Sequence, residues 1–251
     1  MREPNEIIVT DEQADNKNAA AFVFFLVFIV LVICSLTWLY YQPTSDGALK
    51  PLRNVLSLNE RIFSSLLSNG HRAKTFQPSA ASPRVRVNGD DGMGEGFNPD
   101  EWKLHLVRKD GDTLDISLDD IKKLPKTELI FDFKCIEGWS QVTHWAGVKF
   151  MDFANAYGLD TQTKMSYTGM QTPDNQYYVG IDNKSMMHPQ TILCYEMNGQ
   201  PLPLNQGAPL RLIIPVKYGV KNIKRIGTIF FSNDPPPDYW YERGYDYFCG
   251  L

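Results

Sequence analysis

The feature that most restricts this chain is an uncharged apolar run from Ala19 to Tyr41 in an otherwise mixed sequence. At about 1.5 Å rise per residue, a helix through it crosses the ~30 Å hydrocarbon core of a bilayer with some tilt. A buried core helix of a globular protein keeps a polar face, which this run lacks. Trp38, Tyr40 and Tyr41 gather at its C-terminal end, where interfacial aromatics sit. A cleaved signal peptide fits less well, because the run is long and the stretch ahead of it is acidic (Glu3, Glu6, Asp11, Glu12, Asp15). The expected organisation is a polar mobile tail (1–18), a single transmembrane helix (19–41) and a remainder held at a cell membrane. Arg2 and Lys17 before the run balance Lys50 and Arg53 after it, so charge leaves the orientation open.

Residues 42–81 read as a connector. Within it Val55, Leu58, Ile62, Phe63 and Leu66 recur at helical spacing, which predicts a short amphipathic helix stopped at Asn69-Gly70. Its apolar face has two candidate resting places, the membrane surface and the domain. A Pro/Ser-rich stretch, Gln77 to Pro83, marks the start of a domain covering 82–251.

From there the pattern is β-rich. Trp102, Leu104 and Leu106, then Leu114, Ile116 and Leu118, alternate with polar residues on either side of Lys109-Asp-Gly-Asp112, a predicted hairpin. Ser117 caps a short helix that Pro125 ends. Glu128 to Lys134 is a strand delivering Cys135, and Phe150 to Tyr157 is a helix closed by Gly158. Further strands are predicted at Tyr177–Ile181, Thr191–Glu196, Leu210–Ile214 and Arg225–Phe231, with Asn198-Gly199 and Asn205-Gln-Gly207 as turns. Strand outnumbers helix and no βαβαβ rhythm is sustained, so the expected class is α+β.

The formal charge of −4 argues against nucleic acid as a partner. The four cysteines lie far apart, and the spacings of Cys135, Cys194, His144 and His188 match no zinc signature. Cys135 stands apart from the others, since it falls where an apolar strand gives way to Glu-Gly-Trp-Ser, a turn at which a thiolate is open to a soft metal or an electrophile. A nucleophilic cysteine would need an oriented histidine, and His144 is the one at hand. A second constellation is Arg211 inside Leu-Arg-Leu-Ile-Ile-Pro, followed by Lys217, Lys221, Lys224 and Arg225 around a glycine loop. A guanidinium in so apolar a strand is costly to bury without a partner, and cations beside free backbone N–H groups form an anion nest suited to phosphate.

Four linked motifs then match a family. Cys135-Ile-Glu-Gly-Trp-Ser-Gln-Val-Thr-His-Trp145-Ala-Gly147, Met187-His-Pro-Gln-Thr-Ile-Leu193, Tyr195-Glu-Met-Asn-Gly199-Gln-Pro-Leu-Pro203, and Gly207-Ala-Pro-Leu-Arg-Leu-Ile-Ile-Pro215 with Lys221-Asn-Ile-Lys224 occur in family order. Over roughly residues 85–240 the chain resembles the molybdopterin domain of the sulfite oxidase superfamily. The nearest branch is the bacterial one that includes the protein-methionine-sulfoxide reductase catalytic subunit.

The resemblance implies a β-rich sulfite-oxidase-type fold and Mo-molybdopterin as cofactor. It implies Cys135 as the metal's protein ligand, and Asn88, Thr168, Gln206, Arg211, Asn222, Ile223 and Lys224 around the pterin and its phosphate. Trp139, Ser140 and His144 would be neighbours of the metal, with His144 entered as a catalytic candidate. Two departures stand out: no arginine accompanies Cys135 as in sulfite-oxidising members, since Phe133-Lys134 precede and Ile136-Glu137 follow, and His144 replaces that branch's proline.

The expected activity is two-electron oxygen-atom transfer on a small S-oxide or oxyanion. The redox partner would be a membrane haem or quinone-linked subunit, with the catalytic domain on the periplasmic side. A catalytically inactive membrane-tethered module of the same fold is the rival reading.

Overall fold

The computed structural model describes residues 11–66, 70–108 and 111–251, with side chains from Lys17 onward. It opens with helix α1 (Asp11–Tyr40), whose apolar side chains from Phe22 to Trp38 project away from the rest of the protein. The helix takes in Asp11–Asn18, which the sequence reading left as a mobile tail. Glu12, Gln13, Ala14 and Lys17 are good helix formers, and extending a formed helix costs far less than starting one. An apolar helix of this length near the N-terminus fits a membrane anchor or a signal sequence.

A tight hairpin, β1 (Thr44–Ser45) and β2 (Ala48–Leu49), leads into α2 (Lys50–Leu66), the amphipathic helix expected in the connector. Its predicted stop at Asn69 lies outside the described residues, as does the Lys109-Asp110 corner of the next hairpin. That hairpin pairs β3 (Leu104–Val107) with β4 (Thr113–Ile116), Leu104 opposite Ile116. Ser117 then caps α3 (Leu118–Lys122), its hydroxyl accepting from Asp120 N at 3.1 Å. Next come β5 (Lys126–Lys134), β6 (Ser140–Lys149), α4 (Phe150–Ala156), β7 (Tyr167–Gln171), β8 (Tyr178–Asp182) and α5 (Asn183–Met186). Strands β9 (Ile192–Met197), β10 (Gln200–Pro201), β11 (Arg211–Ile213) and β12 (Thr228–Ser232) complete the chain.

Two five-stranded sheets result. One runs β10-β9-β6-β5 with β11 also on β9, and the other runs β4-β3-β12-β7-β8. All pairs are antiparallel except β3 with β12, so the α+β class holds. The sheets meet across one large core to which β3, β7, β8 and β12 give Leu104, Leu106, Met170, Val179 and Ile229, and β6, β9 and β11 give Val148, Leu193, Tyr195 and Leu212.

The first sheet is buried on its other face as well. Alternate residues Phe131, Trp145, Ile192, Cys194 and Ile213 form a second, smaller cluster there. Strand β6 lies at the centre of that sheet, between β5 and β9, and the sequence reading had no strand at Ser140–Lys149. Its apolar residues fall on both faces, so the alternation that identifies a one-sided strand is missing.

The closest backbone approach in this sheet is at a bulge between Ala146 and Gly147, where β6 crosses β9. A Cβ at position 147 would stand 2.0 Å from Leu193 O and 2.6 Å from Cys194 Cα. Both obstacles are backbone and cannot swing away. Gly147→Ala is therefore expected to cost at least about 1–3 kcal/mol through overpacking, lowering the thermal midpoint of the purified protein by several degrees. An unchanged midpoint would show that the two strands separate without cost.

Candidate cofactor site

The β5–β6 hairpin builds one wall of a cleft. Because strand side chains alternate, Phe133, Gln141, Thr143 and Trp145 share the face that lines it, and Cys135 follows at the strand end. The Cys135 turn closes by Cys135 N donating to Trp139 O (2.9 Å) and Gly138 N donating to Cys135 O (3.1 Å). Cys135 is 7% exposed and lines the cleft. The other buried thiols, Cys194 and Cys249, lie outside it, and burial pushes each up to about 12.

Asn88, Gln206, Arg211, Asn222 and Lys224 line the same cleft as Cys135. Asn88 joins its two chemistries: its amide Nδ2 is 3.7 Å from Cys135 Sγ, and its carbonyl accepts from Lys224 Nζ at 2.6 Å. Arg211 enters on β11, opposite Cys194 of β9, with its guanidinium over the Trp145 ring at 4.6 Å. It donates to Gln206 O (3.0 Å), Gln206 Oε1 (3.1 Å) and Asn222 O (3.3 Å), while Gln206 Nε2 reaches Val85 O and Arg86 O. Gly207 permits this packing, because its φ of +100° and a Cβ site 2.8 Å from Lys224 Cβ exclude other residues.

Arg211 is 3% exposed and, among the described residues, pairs with no carboxylate; its Nε has no hydrogen-bond partner. Burial lowers its pKa to about 10 and that of Lys224 to about 8, the latter also through Arg211's charge. Asp90 and Asp91 act on Lys224 from nearby but, among the described residues, no carboxylate pairs with either cation, so the two make a receptor for an anion, and an orphaned guanidinium N–H fits a phosphate oxygen. The donor set therefore suits a group carrying a phosphate together with a soft metal for the thiol.

Three expected residues stand elsewhere. His144 sits between Thr143 and Trp145 on β6, so its ring points away from the cleft and meets Glu128 Oε2 at 3.2 Å. Thr168 is on β7 in the other sheet, its hydroxyl donating to Asn183 Oδ1. Ile223 packs in the large core while its neighbours Asn222 and Lys224 face the cleft. Of the proposed metal neighbours, Trp139 lines the cleft and Ser140 does not.

The wider basic nest is also corrected. Lys217 and Lys221 are buried against Asp182 (2.7 Å) and Asp238, and Arg225 lies over Phe97 at 4.2 Å, none of them lining the cleft. Alternation in the sequence could have placed His144 correctly had β6 been recognised. The acids that neutralise the two lysines lie far off in the chain.

Beside Trp139, expected near the metal, the rim holds Arg86 and Glu137. Arg86 lies over the Trp139 ring at 4.7 Å and 4.0 Å from the Glu137 carboxylate, which also accepts from Trp139 Nε1 at 3.0 Å. That indole bond, aided by Asn88 and Arg86, holds Glu137 below its ordinary pKa, so it stays ionised at neutral pH. Tyr177, Trp240 and Tyr245 complete the mouth, from segments with no motif to mark them.

Comparison with known proteins gives the same direction. The family model for the oxidoreductase molybdopterin binding domain matches residues 92–240. The chain is 36% identical over 162 residues to a putative protein-methionine-sulfoxide reductase subunit YedZ1 of Azospira oryzae, covering 64% of this chain and 60% of that one. It is 32% identical over 232 residues to the protein-methionine-sulfoxide reductase catalytic subunit MsrP of Campylobacter jejuni, covering 78% of each. It thus spans less than two thirds of the Azospira relative's length, and 44% of the MsrP of Xanthomonas axonopodis. Among solved structures, the sulfane dehydrogenase SoxCD of Paracoccus pantotrophus shares the fold, with a TM-score of 0.50 and 14% identity over 55% of this chain and 40% of that one.

The low Lys224 pKa gives the site a pH signature. Sulfate, a non-titrating phosphate mimic, should bind cofactor-free protein with constant affinity below about pH 7 and progressively more weakly above the Lys224 pKa of about 8, where the ammonium loses its proton. In Lys224→Gln, binding by calorimetry should be weak and lack this step. Wild-type affinity that stays level to pH 9.5 would remove Lys224 from the anion site.

Proposed function

This chain belongs to the oxidoreductase molybdopterin-binding domain family, and from that premise we propose that it is a membrane-anchored enzyme reducing small S-oxides. Mo-molybdopterin is the cofactor of such a domain, and when bound it supplies two-electron oxygen-atom transfer at molybdenum. The observation that carries the reading is one cleft lined by both the Cys135 thiol and a buried guanidinium without a carboxylate.

In this reading the chain's own residues divide the work. Cys135 gives the thiolate ligand, with Asn88 Nδ2 set against the sulfur to tune its donor strength. Arg211, Lys224 and the Gln206 amide grip the pterin's phosphate end. Phe133, Trp139 and Trp145, within 6.4 Å of one another through Phe133, form an apolar wall that limits water at the metal side.

The rim favours a neutral S-oxide over an oxyanion such as sulfite. The Arg86 charge is already faced by Glu137, and no arginine stands at the positions flanking Cys135. The names of the Azospira and Campylobacter relatives, both protein-methionine-sulfoxide reductases, support the same substrate class.

Anchoring is supported by α1 and its terminal aromatics Trp38, Tyr40 and Tyr41, all exposed. A membrane haem or quinone-linked subunit would deliver the electrons, in keeping with the word "subunit" in both relatives' names. The catalytic domain would then face the periplasm.

Purified protein made with ample molybdate should contain molybdenum and oxidise reduced viologen with S-oxides, while turning over sulfite poorly. Arg211→Ala should lose most of its molybdenum, since several charge-assisted hydrogen bonds of about 1.5–3 kcal/mol each disappear. Wild-type protein without metal would overturn the enzyme reading, and full occupancy in Arg211→Ala would overturn the phosphate grip.

A further inference from the structure

Helix α2 is docked with its polarity reversed. The face turned to the domain carries Arg53, Ser57, Glu60 and Ser64, spaced three or four apart, and Arg53 is only 5% exposed. Arg53 donates to Tyr245 O (2.7 Å), Tyr241 O (2.8 Å) and Asp46 O, and lies 4.0 Å over the Tyr241 ring. Glu60 faces Asp246 and the buried Lys217 and Lys221, and burial raises its pKa. Lys184 Nζ donates to Ser64 O at 3.2 Å. The opposite face presents Leu52, Val55, Leu58, Ile62, Phe63 and Leu66 outward, Phe63 57% and Leu66 64% exposed. A helix that buries its arginine and exposes three of its four leucines is held by the protein for something apolar outside it.

The chain path identifies that something. Helix α1 ends at Tyr40, and the paired β1–β2 hairpin folds the chain straight back, so that Lys50 N, the first residue of α2, donates to Pro43 O at 2.8 Å. The hairpin is wedged against the domain, with a Cβ at Gly47 falling 2.5 Å from Gly244 N. The start of α2 is therefore fixed within a few residues of the aromatic end of α1.

We propose that α2 lies in the membrane–water interface, its leucine face in the lipid, and seats the catalytic domain directly on the bilayer that α1 crosses. The inference rests on reading α1 as an anchor. An apolar face sunk about 5–10 Å into the headgroup boundary is the known habit of such helices. Exposed Lys50 and Arg61 stand together on one side of the apolar sector, where lipid headgroups would meet them. Arg53 grips Tyr245 and Tyr241 from the inner side, and Tyr245 lines the cleft. The cleft mouth thus stands about one helix diameter, ~10 Å, from the lipid surface, within reach of an electron donor in the membrane.

The test uses full-length protein in phosphatidylcholine vesicles with and without brominated acyl chains. One sample carries an environment-sensitive fluorophore on the exposed native Cys34 of α1. The other carries it on Phe63→Cys in a Cys34→Ser background, with circular dichroism and the cofactor's absorption confirming the fold. The proposal predicts that brominated lipid quenches both labels. Quenching at position 34 but not 63 overturns the interfacial helix while leaving the anchor intact, and assigns the leucine face to a protein partner. Quenching at neither position overturns the anchor reading and this inference with it.

Discussion

The site depends on a guanidinium that the fold buries and does not neutralise. Arg211 sits on an interior strand, under Trp145 and against the carbonyls of Gln206 and Asn222, with no carboxylate among its partners. Carbonyl oxygens soften the desolvation of a cation but leave its charge uncompensated, and a buried unpaired charge is among the costliest features a protein can carry. Elsewhere two buried lysines are neutralised, Lys217 by Asp182 and Lys221 by Asp238, while Arg53 and Arg225 are, like Arg211, buried against carbonyls with no carboxylate among the described residues. Of these three arginines Arg211 is the one that lines the cleft, beside Lys224, where an anion would complete the set.

The rest of the domain can be understood as the frame for that charge and for the thiol it serves. A sheet buried on both faces is rigid, and the β5–β6 hairpin carries Cys135 at one end and Trp145 along its length. Strand β11 brings Arg211 alongside through its pairing with β9. Asn88 closes the circuit from the segment ahead of the sheets, touching the sulfur with its side chain and Lys224 with its carbonyl. Outside the cleft, α2 repeats the theme in reverse, with Arg53 buried among carbonyls so that an apolar face is free to meet a membrane.

Much of this was legible in the sequence, and what was not has physical reasons. The Ala19–Tyr41 run, the α2 periodicity, the Leu104/Ile116 hairpin and the Ser117 cap are local patterns, and each appears where expected. Strand β6 was missed because a strand buried on both faces has no alternation to show, and with it went the direction of His144. Thr168 was carried over by resemblance across a poorly matched stretch and lies in the other sheet. The acids that quench Lys217 and Lys221 are partners in space alone, so a basic run read as one nest divides into two buried ion pairs and one lysine, Lys224, that lines the cleft. The rim residues Arg86, Glu137 and Tyr245 converge from three distant segments, which no single motif records.

The account stands on Cys135 being the one protein ligand of a metal whose cofactor is held by Arg211 and Lys224. Molybdenum X-ray absorption on the holoprotein tests this most directly. A dithiolene provides two sulfurs, so the spectrum should show three sulfur neighbours in the wild type and two in Cys135→Ser, with the metal still bound through the phosphate grip. The same sulfur number in both proteins would contradict the account.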